Sequence, residues 1–378
     1  MTKPTVVLDD LLDDLRQLVE CESPSADQAA VARSADLVAR LGAARLGVEP
    51  ERIVVDGCSH LRWILGSRPQ AERVVLVCHH DTVWPLGTLE THPYGVDDSG
   101  VLRGPGCFDM LAGLVMAWSA VATLPSADGI TLLVTGDEEI GSPSSRVLIE
   151  DTARGARAAL VLEASADGGA LKTARKGTSM YDVVITGRAA HAGLEPEKGI
   201  NAGLELAHQL CAVPALASVA DGTTVTPTVA SAGTTANTVP ATAHFSIDVR
   251  AWSLAELERV DAAIRSLTPV LPGATIAILG GINRPPLEES SSKALFERAA
   301  GLADALGLPP LTAAAVGGAS DGNFTAGVGT PTLDGLGAVG GGAHAVGEHV
   351  LVDRLPDRTM LLHALLADLL ADPSEGDR

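Results

Sequence analysis

The sequence predicts an α/β protein whose mainly parallel sheet, with helices on both faces, is interrupted by an inserted α+β domain. Apolar segments typical of buried strands, such as Val74–Val77 and Ile130–Thr135, alternate with helical periodicity at residues 9–20 and 111–124. Alternation of this kind is typical of a parallel sheet covered by helices. A chain of 378 residues is also long for one hydrophobic core, so two domains are expected.

The elements of the sheet domain follow from apolar runs for strands and from 3.6-residue periodicity for helices. Strands are predicted at Arg52–Val55, Leu61–Leu65, Val74–Val77, Ile130–Thr135, Ala158–Leu162 and Pro331–Leu333. Helices are predicted at residues 9–20, Ser25–Leu41, residues 111–124, Lys293–Leu306 and Pro356–Leu370. Ser25 is expected to cap the second helix, since serine favours that position.

The pattern changes after Lys176. Further strands are predicted at Ser179–Gly187, Thr223–Ser231, Ala241–Val249 and Ala274–Leu279, with helices at Gly199–Leu210 and Leu254–Leu267. The order β-α-β-β-α-β is that of a ferredoxin-like unit. We therefore expect a discontinuous catalytic domain, residues 1–176 and 284–378, interrupted by a lid domain at residues 177–283.

Composition excludes several classes of function. The formal net charge of −20 disfavours nucleic acid or an anionic membrane as the partner. No apolar run is long enough to span a bilayer, and no basic segment followed by an apolar one suggests a signal peptide. The five cysteines show no CxxC spacing, which is typical of reduced thiols. A cytoplasmic location is therefore expected.

One strand ends in potential metal ligands. The apolar run from Val74 is followed directly by His79, His80 and Asp81. The carboxyl ends of parallel strands border the crevice where α/β proteins keep their sites. His79 and Asp81 are two residues apart and should project to one side of the strand, whereas His80 points to the other. An imidazole with a carboxylate to orient it is a common feature of metal sites.

Other imidazole and carboxylate residues lie at strand ends or in glycine-rich loops. They are Asp109, the run Asp137-Glu138-Glu139, Glu163 and His344. Each alone has an ordinary explanation, such as a helix cap for Asp109 or a surface charge for Glu163, but their joint placement favours a metal centre. Clustered carboxylates need a cation to neutralise them. Mixed nitrogen and oxygen ligands suit zinc, with cobalt or manganese as substitutes.

The sequence resembles the M20 family of metallopeptidases, particularly its glutamate carboxypeptidase (carboxypeptidase G) and acetylornithine deacetylase-like members. The matching segments begin at His79 (HHDTV), Gly104 (GPGCFDM), Gly136 (GDEEIGS), Gly187 (GRAAHAG) and Ala236 (ANTVP). The resemblance covers nearly the whole chain, including the predicted insertion.

The resemblance implies two zinc ions per chain. His79 and Glu163 would hold one ion, Glu139 and His344 the other, and Asp109 would bridge both. Paired ions of this kind are a known hydrolytic arrangement.

The resemblance also implies roles for residues that do not bind metal. Asp81 would orient the His79 ring, and Glu138 would act as the general base. His191, in the lid, would stabilise the oxyanion across a homodimer formed by the lid domains.

The substrate's carboxylate would meet a further set of residues, namely Asn237, Arg284 and Arg250. Arginine suits this role because its two parallel N–H groups match a carboxylate. Arg250 has an alternative explanation as a structural ion pair at a strand end. Asp321 matches a loop near the site, which it is expected to order.

The expected function is therefore a dinuclear zinc hydrolase that cleaves an amide bond next to a free carboxylate and releases a C-terminal amino acid. Its substrate would be a peptide or a small N-acyl amino acid. One alternative keeps the chemistry and makes the chain an N-acyl-amino-acid deacylase of the acetylornithine deacetylase or aminoacylase type. Another is a catalytically silent binding protein, which would be supported by a missing ligand or base, yet all are present.

Overall fold

The computed structural model describes residues 6–371. Its α-helices are α1 (Leu8–Glu20), α2 (Gln28–Leu46), α3 (Ala112–Ala122), α4 (Arg146–Ala153), α5 (Ala202–Ala212), α6 (Leu254–Arg265), α7 (Glu289–Leu306), α8 (Gly322–Gly327) and α9 (Leu355–Leu370). None of these helices combines the length and the apolar character needed to cross a bilayer.

The strands of the same residues are short, with few exceeding seven residues. They are β1 (Glu51–Val55), β2 (Cys58–Ile64), β3 (Val74–His79), β4 (Gly95–Val96), β5 (Val101–Arg103), β6 (Ile130–Thr135), β7 (Ala158–Val161), β8 (Leu171–Arg175), β9 (Gly177–Thr186), β10 (Thr224–Ala232), β11 (Thr242–Ala251), β12 (Thr275–Arg284), β13 (Ala313–Val316), β14 (Thr332–Leu333), β15 (Gly340–Gly341) and β16 (His349–Leu351).

The chain divides into two compact units. One, here called the catalytic unit, runs to Ala174 and includes Glu289–Val316 and the chain from Ser320 onward. The other, the inserted unit, comprises Arg175–Glu288 and Gly317–Ala319.

The catalytic unit contains a six-stranded sheet in the order β1-β2-β6-β3-β7-β14. Strands β6, β3, β7 and β14 are parallel, and the β1–β2 hairpin joins the β6 edge antiparallel. Strand β3 is buried along its whole length, as expected for a parallel strand covered on both faces. Leu76 packs into the main core with α3 and α9, while Leu133 packs with Ile149 of α4 and Phe324 of α8. This arrangement confirms the predicted fold class.

The inserted unit contains a four-stranded antiparallel sheet in the order β10-β11-β9-β12. With α5 and α6 it forms a β-α-β-β-α-β unit, and this strand order is that of a ferredoxin-like sandwich. Burial alternates along β11, so that Phe245 and Ile247 pack against Leu206 of α5 and Leu257 of α6. The period of two places one face of the sheet on the helices.

The predicted cap of the second helix is wrong. Helix α2 begins at Gln28, and its N-cap is Asp27, whose carboxylate accepts hydrogen bonds from the N–H groups of Ala29 and Ala30, both at 3.0 Å. The Ser25 hydroxyl is unavailable for capping because it donates to the carboxylate of Asp81, 56 residues away, at 2.6 Å.

Candidate metal centre

The centre forms where the central parallel strands end. Strand β3 ends at His79, and its neighbours β6 and β7 end at Thr135 and Val161. Because all three strands run in the same direction, the residues that follow them lie at one edge of the sheet. Glu163 follows β7 by two residues, and the turn Glu138–Ile140 follows β6.

His79 faces two carboxylates. Its Nε2 lies 3.6 Å from Asp109 Oδ1 and 3.6 Å from Glu163 Oε1. These distances exceed a hydrogen bond, and the buried Nε2 atom has no hydrogen-bond partner within residues 6–371. A buried nitrogen without a partner is costly, so this atom requires an explanation.

A second imidazole faces the same aspartate from the opposite side. His344 Nε2 lies 3.0 Å from Glu139 Oε2 and 3.3 Å from Asp109 Oδ2. The other oxygen of Glu139, Oε1, is buried and also lacks a partner in the described part of the chain. His344 adopts a φ of 61°, which is uncommon for a residue other than glycine. The two oxygens of Asp109 therefore face two different imidazoles.

The donor set fits two metal ions. Ligand atoms of His79, Asp109 and Glu163 lie within 4.8 Å of one another, and so do those of Asp109, Glu139 and His344. A cation in each group would give the unpartnered atoms of His79 and Glu139 a ligand role. Imidazole nitrogen and carboxylate oxygen are suitable ligands for zinc, cobalt or manganese.

The pKa values show how strongly the cluster favours positive charge. Hydrogen bonds to Asp109 and Glu139 raise the pKa of His344 to about 10. Burial would lower the pKa of His79, but the surrounding carboxylates outweigh it and raise that pKa well above its usual value. Burial would raise the pKa of Asp109, and the imidazoles outweigh it and lower it. For Glu139 burial prevails and the pKa is raised.

Asp81 contacts the centre through more than the His79 ring. His79 Nδ1 lies 3.0 Å from the backbone oxygen of Asp81 and 3.5 Å from its Oδ1. The carboxylate accepts hydrogen bonds from the backbone N–H groups of Glu138 and Glu139, at 3.2 and 3.1 Å, and from Ser25. Asp81 therefore ties the turn that carries Glu138 to the end of β3. His80 lies outside the centre, with its ring nitrogens near Ser34 and the Ser59 carbonyl.

Glu348 is a positioning residue that the sequence reasoning missed. Its carboxylate is buried and accepts the backbone N–H groups of Gly106, Phe108 and Asp109 at 3.1, 2.9 and 3.1 Å, and Trp84 Nε1 at 2.7 Å. It therefore anchors the turn that carries Asp109. The available signal was its place four residues after His344 in the same loop.

Asp321 orders the neighbouring loop, in line with the sequence-based expectation. Its Oδ2 accepts a hydrogen bond from Thr135 Oγ1 at 3.0 Å, and its Oδ1 accepts one from the Ser142 hydroxyl. Thr135 and Ser142 flank the turn at Glu138, which is itself 8% exposed. The general-base candidate thus lies on a turn fixed at both ends.

The remaining predicted site residues belong to the inserted unit. His191 and Asn237 are exposed and lie on adjoining segments, because the N–H of Ala192 donates to the Asn237 carbonyl at 2.9 Å. Arg284 is buried. Arg250 forms an ion pair with Asp248 at 3.0 Å, which is the structural contact considered as its alternative.

A third group of potential ligands lies apart in composition, since it contains a thiol. Here called the Asp137 cluster, it comprises Cys58, His60 and Asp137. His60 Nδ1 accepts the N–H of Gly136 at 3.2 Å, and its Nε2 lies 3.0 Å from Ser144 Oγ. Burial raises the pKa of the Cys58 thiol to about 12.

A parallel sheet with imidazoles and carboxylates gathered at its carboxyl edge is an arrangement typical of metallohydrolases. The chain belongs to peptidase family M20/M25/M40, whose sequence model matches residues 75–368. It is 30% identical over 311 residues to carboxypeptidase G2 of Pseudomonas sp. (strain RS-16), covering 79% of this chain and 74% of that protein. The predictions of the family and of a metallopeptidase are confirmed.

Solved structures share the fold. The M20 family metallo-carboxypeptidase Sso-CP2 from Sulfolobus solfataricus matches with a TM-score of 0.76 and 15% identity, over 95% of this chain and 99% of that one. Aminopeptidase PepT from Bacillus cereus matches with a TM-score of 0.73 and 20% identity, over 96% and 99%. At these identities the likeness concerns the fold alone.

Proposed function

We propose that this chain is a dinuclear zinc hydrolase that cleaves an amide bond next to a free carboxylate, as a carboxypeptidase does. The observation that carries the proposal is the position of Asp109, whose two oxygens face His79 and His344. The unpartnered atoms of His79 and Glu139 support the same conclusion. Identity to a protein named as a carboxypeptidase supports the substrate class.

Each ion would have its own ligands and share one. His79 and Glu163 would hold the first, Glu139 and His344 the second, and Asp109 would contact both. When bound, a pair of divalent ions polarises a carbonyl and lowers the pKa of water.

The chain's own residues would move the proton. Glu138, on the turn fixed by Asp81, would accept a proton from the attacking water and deliver it to the nitrogen of the leaving amine. The C–N bond breaks, and a carboxylic acid and a free amino acid leave. His191 would donate a hydrogen bond to the developing oxyanion.

The substrate's own carboxylate would be bound by the inserted unit. Arg284 and Asn237 are the residues proposed for this contact, with Arg250 in support. Arg250 is the least suited, because Asp248 already holds its guanidinium.

A homodimer formed through the inserted unit, and a cytoplasmic location, complete the proposal. If His191 acts across the dimer, mixing His191→Ala and Glu138→Ala protomers should restore part of the activity, because one of the two sites would regain both residues. No recovery after subunit exchange has been verified would assign His191 to its own chain.

The experiment that tests the function is a release assay on protein stripped of metal and reloaded with zinc, cobalt or manganese. N-acyl amino acids and dipeptides serve as substrates, and this panel also separates a carboxypeptidase from an N-acyl-amino-acid deacylase. Hydrolysis should disappear on stripping and return on reloading.

Two variants give the assay its controls. Glu138→Gln should keep bound metal and lose about 10²–10⁴-fold in turnover, which is the usual contribution of a general base. Glu49→Gln, the same change at an exposed loop position, should leave turnover unchanged. Activity that is indifferent to stripping, or a fully active Glu138→Gln variant, would reject the mechanism.

A further inference from the structure

The catalytic unit contains an apolar cavity of about 380 Å³. Its walls include Trp84, Pro93, Val96, Pro105 and Val346. Val96 is 46% exposed and Val346 is 69% exposed, so both present apolar surface that a ligand could cover. A concave, mainly apolar space of this size is in the range of roughly 300–1,000 Å³ that small-molecule sites occupy.

The cavity is continuous with the metal centre through one residue. Glu348 lines the cavity, and the same carboxylate accepts the N–H of Asp109 at 3.1 Å. Ala345, which also lines it, directly follows His344 in the chain. A group in this cavity is therefore separated from two proposed ligand residues only by the segment from His344 to Glu348.

The aromatic wall is held in place. Trp84 Nε1 donates to Glu348 Oε2 at 2.7 Å, which fixes the indole beside the carboxylate. The His92 ring lies 6.0 Å from the Trp84 ring, centroid to centroid, at an angle of 32°. A fixed aromatic pair of this kind provides a contact surface for a flat or branched apolar group.

The charges of the lining exclude a carboxylate as the occupant. Arg103 is already paired, since its Nη1 donates to Asp97 Oδ2 at 2.7 Å. Glu348 would repel an anion, and its own oxygens are engaged by N–H donors. The half of a substrate that carries the free carboxylate is therefore not the half that fits here.

We propose that this cavity binds the apolar acyl group on the carbonyl side of the scissile amide, and that it gives the protein a preference for aromatic or branched acyl groups over acetyl. The inference rests on the proposed function, because it assigns one half of that substrate. It makes the cavity a determinant of specificity on the side opposite the released amino acid.

The first arm of the test uses N-acetyl-, N-hexanoyl- and N-benzoyl-glutamate with the zinc-loaded protein. We expect kcat/KM to rise at least about tenfold from acetyl to benzoyl, since apolar pockets discriminate by this order per added group. Val96→Asp should remove the rise, because it places a charge in the apolar wall, and should leave the acetyl substrate within about threefold. Val54→Asp is the matched control, an exposed valine of strand β1 outside the cavity.

The second arm measures binding without turnover. Benzoate and acetate carry the same carboxylate, so calorimetric titration of each isolates the contribution of the apolar group. Benzoate should bind at least about tenfold more tightly than acetate to the wild type and to Val54→Asp, and no more tightly to Val96→Asp.

The two arms separate the possible failures. Equal affinity for benzoate and acetate, or an acyl preference that survives in Val96→Asp, would overturn the assignment of the cavity. Absence of hydrolysis with every N-acyl amino acid would reject the proposed function, and the benzoate titration would still decide whether the cavity accepts an apolar group.

Discussion

Two groups in the catalytic unit have ligand-like composition, and their hydrogen bonding separates them. In the metal centre, the buried atoms His79 Nε2 and Glu139 Oε1 have no partner within residues 6–371. In the Asp137 cluster, Asp137 Oδ1 accepts from Ser145 Oγ at 2.5 Å, and its Oδ2 accepts Ser144 Oγ and the Ser144 N–H at 2.6 and 2.7 Å. Composition alone does not distinguish the two groups.

The difference teaches how a buried carboxylate reveals its role. A carboxylate surrounded by N–H and O–H donors is already stabilised as an anion and holds the backbone in place. Asp137 has this environment, and so does Glu348. Carboxylates that face imidazoles at distances too long for hydrogen bonds, as Asp109 and Glu163 face His79, are arranged for a cation.

Protonation reinforces the contrast. Burial lowers the pKa of His60 and raises that of Cys58 to about 12, so that the Asp137 cluster contains a neutral imidazole and a thiol. A thiol is a poor metal ligand until it loses its proton. In the metal centre, the carboxylates raise the pKa of His344 to about 10, so this site attracts positive charge.

The largest expected effect comes from exchanging equivalent aspartates. Asp109→Asn should lower kcat/KM by more than about 100-fold, since even residues that only support metal ligands contribute 10–100-fold. Asp137→Asn should instead lower the free energy of unfolding by about 1–3 kcal/mol, because it disrupts donors aimed at a carboxylate. Steady-state kinetics and urea unfolding measure the two effects. Comparable losses of zinc from both variants would remove the distinction between the groups.

A smaller effect is expected at Glu348. In Glu348→Gln an amide NH₂ replaces one of the oxygens that accept N–H groups, so the turn carrying Asp109 should shift. We expect zinc affinity to fall about 10–100-fold, as for other residues that orient ligands. Competition with a zinc chelator measures this affinity, and Glu49→Gln provides the control. Unchanged affinity would mean that Glu348 serves only the fold.

The smallest effect is expected at Ser144. Ser144→Ala removes the hydroxyl that lies between His60 and Asp137 and should destabilise the fold by about 1–3 kcal/mol, with unchanged zinc content. Thermal unfolding and metal analysis of the same preparation test both statements. A loss of zinc would show that the Asp137 cluster takes part in metal binding.

Sequence patterns predicted those features that depend on local order along the chain. The parallel strands were recognisable from apolar runs, and His79 and Asp109 from their positions next to strand ends and glycines. The partners of these residues were not recognisable, because hydrogen bonds between distant segments leave no local pattern. Ser25 resembled a helix cap and instead contacts Asp81, and Glu348 resembled a solvated loop residue although it is buried.

The central claim is that the metal centre binds two ions which share Asp109, and that the Asp137 cluster binds none. Metal analysis of protein reloaded with zinc and freed of excess ion tests it most directly, on the wild type, His79→Ala and Cys58→Ala. The account predicts two zinc ions per chain for the wild type and for Cys58→Ala, and at most one for His79→Ala. One zinc ion in the wild type, or a loss in Cys58→Ala with none in His79→Ala, would contradict it.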